Sequence, residues 1–259
     1  MTLHAFSAAF DGRTVTGAPP AAGPWSPGFC HGGAPAALAV RAAEALPTLA
    51  PMETVRLSLE LSRPVPVAEL AVDAAVLREG KKIQLVGITI SAGGQTVATA
   101  TVLKMRAIAA TTPADAAPPP QPLPAPADSQ ATTSALKTGF ASLFEMRAAK
   151  GSFAEKGPAA LWFNMTGQIV AGEEPSPAMR AAASADFGNG ISGVLGFDSW
   201  TYLNADLTVN LFRRPVGAWI LVDSETLVGD HGRALTQTRL ADAQGWCGTA
   251  TQNLLIEPR

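Results

Sequence analysis

Leu207, Val209 and Leu211 fall on one side of an extended chain, and Asp206, Thr208 and Asn210 fall on the other. This period-two alternation is that of a strand buried on one face. Similar runs recur and predict strands over about 54–62, 67–78, 82–92 and 95–106, then over about 202–213, 217–228, 233–243 and 246–256. Shorter stretches near 3–10, 13–17, 140–149 and 159–171 extend each set. Ala92-Gly93-Gly94 and Ala243-Gln244-Gly245 separate neighbouring runs and predict hairpins.

Two segments break this rhythm. HGGAPAALAVRAAEAL, residues 31–46, is rich in alanine, with Pro35 suited to a first helical turn. SPAMRAAASADF, residues 176–187, has Pro177 near its start and Gly188 at its stop. Each helix precedes four of the predicted strands, an α+β pattern. Between the two sets, residues 109–135 are mostly Pro, Ala, Thr and Ser without an apolar period. That composition predicts an extended, polyproline-like connector between an N-terminal domain, 1–108, and a C-terminal domain, 136–259.

The two halves also resemble each other. Arg63-Pro64 matches Arg214-Pro215, Val72-Asp73 matches Val222-Asp223, and Thr99-Ala100-Thr101 matches Thr249-Ala250-Thr251. Matches in order at near-constant spacing point to an internal duplication.

Composition narrows the partners. The chain is 47% hydrophobic and 15% charged, with a formal net charge of -2 and no long basic run, which disfavours nucleic acid. Apolar stretches are short and interrupted, so no membrane span is expected. The N-terminus lacks the pattern of a signal peptide, and the cytoplasm is the default expectation. Cys30 and Cys247 form no disulfide framework or zinc pattern, and His4, His31 and His231 have no ligand spacing with one another, so neither metal nor cofactor is expected.

A helix preceded by short strands and followed by an antiparallel meander resembles the hotdog fold; two in tandem resemble a double hotdog. The stretches GFCHGGAPAALAVRAA, EEPSPAMRAAASADFGNGIS, WTYLNADLTVNLFRRPVGAWILVDSETLVGDHG and GTATQNLL resemble the acyl-CoA thioesterase II-like family. The resemblance covers nearly the whole chain except the connector. It implies hydrolysis of acyl-CoA to free acid and CoA by water, without a metal.

Such chemistry needs an oriented water, a carboxylate to direct it and donors for the carbonyl oxygen. The resemblance points to Asp206 as the carboxylate and to Gln252 as the amide that holds water or carbonyl. Arg-Pro stands one residue further from the Asp than in better-known members, a shift that a bulge would absorb. Thr226 and Thr208 are candidates for a hydroxyl beside the water. His31, Gly32 and Gly33 start the first helix, where backbone N–H groups can meet an oxyanion. Asp186 and Asn189 would line the same cleft, although a left-handed turn position also accounts for Asn189. Arg213 and Arg214 are either contacts for CoA phosphates or solvated charges. At the positions that match Asp206 and Gln252, the first half has Arg56 and Val102, so one site per chain is expected. Two other functions fit the fold: a non-catalytic acyl-CoA-binding module, and an enoyl-CoA hydratase, whose Asp–His spacing is missing. Pairing of whole molecules through sheet edges is a further expectation.

Overall fold

The computed structural model describes residues 2–9, 13–109, 113–116, 118–132 and 138–259. Residue 10 of the first predicted strand, and residues 110–112, 117 and 133–135 of the connector, lie outside the described residues.

The first half contains β1 (His4–Ala8), β2 (Thr14–Gly17), α1 (Gly33–Glu44), β3 (Met52–Glu60), β4 (Glu69–Arg78), β5 (Ile83–Ala92) and β6 (Gln95–Arg106). The second contains β7 (Gln130–Ala131), β8 (Phe144–Lys150), β9 (Ala159–Met165), β10 (Gln168–Val170), α2 (Pro177–Ala185) and α3 (Gly188–Ile191). It continues with β11 (Trp200–Asn204), β12 (Asp206–Leu211), β13 (Trp219–Val228), β14 (Arg233–Asp242) and β15 (Gly245–Pro258). Both predicted hairpin turns are present, and Gly93 and Gly94 take positive φ values of 55° and 78° between β5 and β6. Two predicted strands are each split in two, 159–171 into β9 and β10, and 202–213 into β11 and β12.

The strands form one 15-stranded sheet. β3 and β12 pair antiparallel at its centre, with Leu57 opposite Val209, and so join the halves. β10 leaves its own half and pairs in parallel with β1, His4 opposite Gln168. This is a double hotdog, with α1 and α2 side by side on the inner face of the sheet.

Alanine explains the close helix pair. Ala34, Ala37, Ala181, Ala183 and Ala185 are fully buried, and small side chains let helix backbones approach. At the tightest point only glycine fits: a Cβ on Gly33 would stand 2.6 Å from the Ala183 carbonyl oxygen. At the far end of α1, buried Lys104 donates from Nζ to the carbonyls of Ala43 (2.8 Å) and Leu46 (3.1 Å), satisfying groups that a helix terminus leaves open.

The described part of the connector lies on the outer face of the second half. β7 pairs with β8, Leu123 packs against the cluster of Trp162, Leu221 and Trp246, and Trp162 Nε1 donates to the Pro124 carbonyl at 2.9 Å. Trp162 is fully buried as a result.

Candidate functional site

The start of α1 meets the end of α2, and there the chain buries a carboxylate. Asp186 caps the C-terminus of α2 and is 3% exposed. Ser176 caps the other end of α2, accepting from the Met179 N–H at 3.1 Å. Asp186 Oδ2 lies 2.8 Å from His31 Nδ1. Its Oδ1 accepts from Asn204 Nδ2 at 2.7 Å and from Gln252 Nε2 at 3.0 Å. Three donors thus converge on one buried carboxylate, which leaves about one of its four lone-pair directions open.

The His31 proton follows from these contacts. Nδ1 also lies 3.2 Å from the Gly33 N–H, but a protonated ring nitrogen cannot accept. The shorter contact, to a carboxylate, makes Nδ1 the donor and fixes the ring orientation. The ring packs against Phe187 at 4.4 Å and Phe140 at 5.0 Å between centroids.

The amides form a closed set. Asn189 Nδ2 donates to Asn204 Oδ1 at 2.5 Å, and the Asn189 N–H donates to Gln252 Oε1 at 3.2 Å. Every amide group here has its orientation fixed by its partners. Asn189 takes a helical position in α3 rather than the left-handed turn position that the sequence suggested; among the described residues only His231 combines a side chain with positive φ.

Beneath α3 lies a row of buried hydroxyls. Ser224 Oγ and Thr238 Oγ1 are 2.8 Å apart, and Thr226 Oγ1 is 2.7 Å from both Thr236 Oγ1 and Ser192 Oγ. Thr226 therefore stands in the floor under α3, tied to the site through Ser192, whose Oγ donates to the Gly188 carbonyl at 2.7 Å.

The structure brings His31, Gly32, Gly33, Asp186, Asn189 and Gln252 together. A Cβ on Gly32 would stand 2.8 and 2.9 Å from the two oxygens of Asp186. Asp206 and Thr208 lie elsewhere, on the outer face of the sheet. Asp206 accepts from the Asn253 N–H (2.7 Å) and from Asn253 Nδ2 (2.9 Å), while Thr208 stands between Ser58 and Thr251. The physical reason is strand parity: Leu207 and Val209 are buried, so their alternate neighbours face out. Arg213 grips Asp242 with two 2.6 Å bonds and closes a corner of the sheet, whereas Arg214 is 61% exposed.

Asn204 is the residue that the sequence did not single out. Extending the alternation back from Leu207 assigns it to the outer face, but an extra residue in the strand turns it inward. The signal was the displaced Arg-Pro, which called for a bulge. Among the described residues no cluster of three metal-ligating side chains occurs, and no helix is long and apolar enough to cross a membrane.

Family models describe both halves: the acyl-CoA thioesterase N-terminal domain matches residues 21–105 and the acyl-CoA thioesterase C-terminal domain matches residues 113–256. No curated protein sequence matches the chain. Among solved structures, a hotdog-fold protein of unknown function from Alicyclobacillus acidocaldarius superposes with a TM-score of 0.77 at 19% identity, covering 96% of this chain and 95% of that one. A tesB protein from Mycobacterium avium subs paratuberculosis gives 0.70 at 17%, over 95% and 93%. An acyl-CoA thioesterase II from Mycobacterium marinum gives 0.63 at 17%, over 88% and 89%. At such identities the likeness establishes the double hotdog fold.

Proposed function

Because the chain belongs to the acyl-CoA thioesterase family and is a hydrolase of acyl-CoA thioesters, we propose that Asp186 directs the attacking water. The observation that carries this assignment is the buried Asp186 carboxylate, held by His31 from one half and by Asn204 and Gln252 from the other.

In this mechanism a water lies on the open lone pair of Asp186, with Asn204 and Gln252 fixing the carboxylate. Attack forms the bond from water oxygen to acyl carbon while the proton passes to Asp186. Backbone N–H groups at the start of α1 stabilise the oxyanion; the Gly32 N–H has no hydrogen-bond acceptor among the described residues. The carbon–sulfur bond then breaks, the CoA thiolate takes the proton back from Asp186, and free acid and CoA leave. His31 holds Asp186 and excludes bulk water together with Phe140 and Phe187.

The cytoplasm and a role in lipid metabolism fit this activity, and the unpaired Cys30 and Cys247 favour a reducing compartment. Assembly through the two ends of the sheet would build on the short β10 and β7.

The test is CoA release from a panel of acyl-CoAs of increasing chain length. Asp186→Asn should lose on the order of 10²–10⁴ in kcat with its fold retained. Full activity in that variant would refute the assignment of the base.

A further inference from the structure

We infer that Asp206 is a positioning residue: its carboxylate holds the bulge that turns Asn204 toward Asp186. This rests on the site proposed above.

The bulge is read from register. Asn204 of β11 stands opposite Leu254 of β15, and Thr208 of β12 stands opposite Thr251. Ala205, Asp206 and Leu207 therefore face only Gln252 and Asn253, one extra residue on the β11–β12 side. An extra residue reverses the side-chain parity. Tyr202 is fully buried on one side of it and Leu207 on the other, five positions apart, where uninterrupted alternation would put them on opposite faces. Without the bulge Asn204 would share the outer face with Thr208.

A bulge also leaves a ladder group without its usual partner. Here the Asn253 carbonyl accepts from the Ala205 N–H at 2.9 Å. The Asn253 N–H donates to a side chain, Asp206 Oδ1, at 2.7 Å. Asp206 Oδ2 binds the Asn253 side chain at 2.9 Å. Both carboxylate oxygens thus grip the one residue opposite the bulge. Asn253 adjoins Gln252, and alternation means that holding Asn253 outward keeps Gln252 inward. One carboxylate on the outer face sets the direction of both amides that bind Asp186.

The choice of an acid is otherwise unfavourable. Asp206 stands opposite Glu60 across the β3–β12 pair, and like charges directly opposite repel. The bonds to Asn253 account for an acidic acceptor there.

The experiment compares Asp206→Ala with Asp206→Asn, reading kcat and KM for CoA release and hydrogen exchange at the Asn253 amide. Alanine should cost about 10- to 100-fold in kcat, through misplacement rather than lost chemistry, with little change in KM and faster Asn253 exchange. Asparagine keeps an oxygen for the Asn253 N–H and should restore most of kcat and of the protection. Two results would overturn the inference. One is an Asp206→Asn loss of 10²–10⁴ with the Asn253 amide still protected, which marks Asp206 as an acid–base group. The other is Asp206→Ala with kcat and exchange unchanged. Asp186→Asn, run alongside, separates the two proposals: full activity there removes the site while the exchange measurement still reads the clamp.

Discussion

Replacing Gly32 by alanine should damage catalysis and spare the fold. The new Cβ would stand 2.8, 2.9 and 3.1 Å from Oδ2, Oδ1 and Cγ of Asp186. Comfortable non-bonded separations are about 3.5 Å or more, so the carboxylate must retreat by roughly 0.5 Å or more. Retreat pulls it from His31, Asn204 and Gln252 together. Misplacement on the order of 1 Å costs up to about 10² in rate, so kcat should fall about 10- to 100-fold, or about 1.4–2.7 kcal/mol. The backbone gives no reason for unfolding: Gly32 has φ -59° and ψ -24°, which alanine adopts freely. Loss of glycine's freedom in the unfolded chain contributes about 0.4–1 kcal/mol in the other direction. Steady-state CoA release and a thermal melt should therefore disagree, with kcat low and Tm within about 4 °C of the parent. An unchanged kcat would refute the reasoning, as would a collapse of Tm that accounts for the lost activity.

Two further outcomes are expected. Burial pushes the thiols of Cys30 and Cys247 up to about 12, so the native protein should resist iodoacetamide at pH 8, and both cysteines should react in denaturant; rapid native labelling, read by mass spectrometry, contradicts this. Burial raises the Asp223 carboxyl above its ordinary value, with Lys150 and Arg239 opposing the rise. A carboxyl raised in the folded state favours folding below its unfolded pKa, and that contribution is lost as pH rises through the folded value. Asp223→Asn should accordingly raise Tm at pH 7, with the gain vanishing below about pH 4; a gain that persists at low pH rules this out.

The regular part of the fold was legible because burial on one face writes itself as alternation. The four-strand meander of the first half lies within about two residues of its expected bounds, and the duplication was visible in paired Arg-Pro and Thr-Ala-Thr runs. The interruptions were not legible. Residues 159–171 read as one apolar strand, yet Thr166 and Gly167 break it and β10 pairs with β1 of the other half, a contact no local pattern records. The connector's composition suggested a spacer, but nothing in it revealed that Leu123 covers Trp162. For the site, His31, Asp186 and Gln252 were named individually, and only the fold shows that they meet. Asn204 was hidden because parity carried from Leu207 is broken by Ala205. Asp206 was singled out by the family resemblance, while its direction is set by a bulge that two strands define together.

The union of β3 with β12 frees the two ends of the helix pair from likeness. Two identical subunits would have to carry the same residues at both ends, so any change serving catalysis at one would be imposed on the other. In a single chain each end can drift by itself. Gln252 has its counterpart in Val102, a fully buried apolar residue. At that same end Lys104 is spent on the carbonyls of Ala43 and Leu46. One end of the molecule has thus become an anchor, and the other is left to hold the buried acid that an anchor would not need.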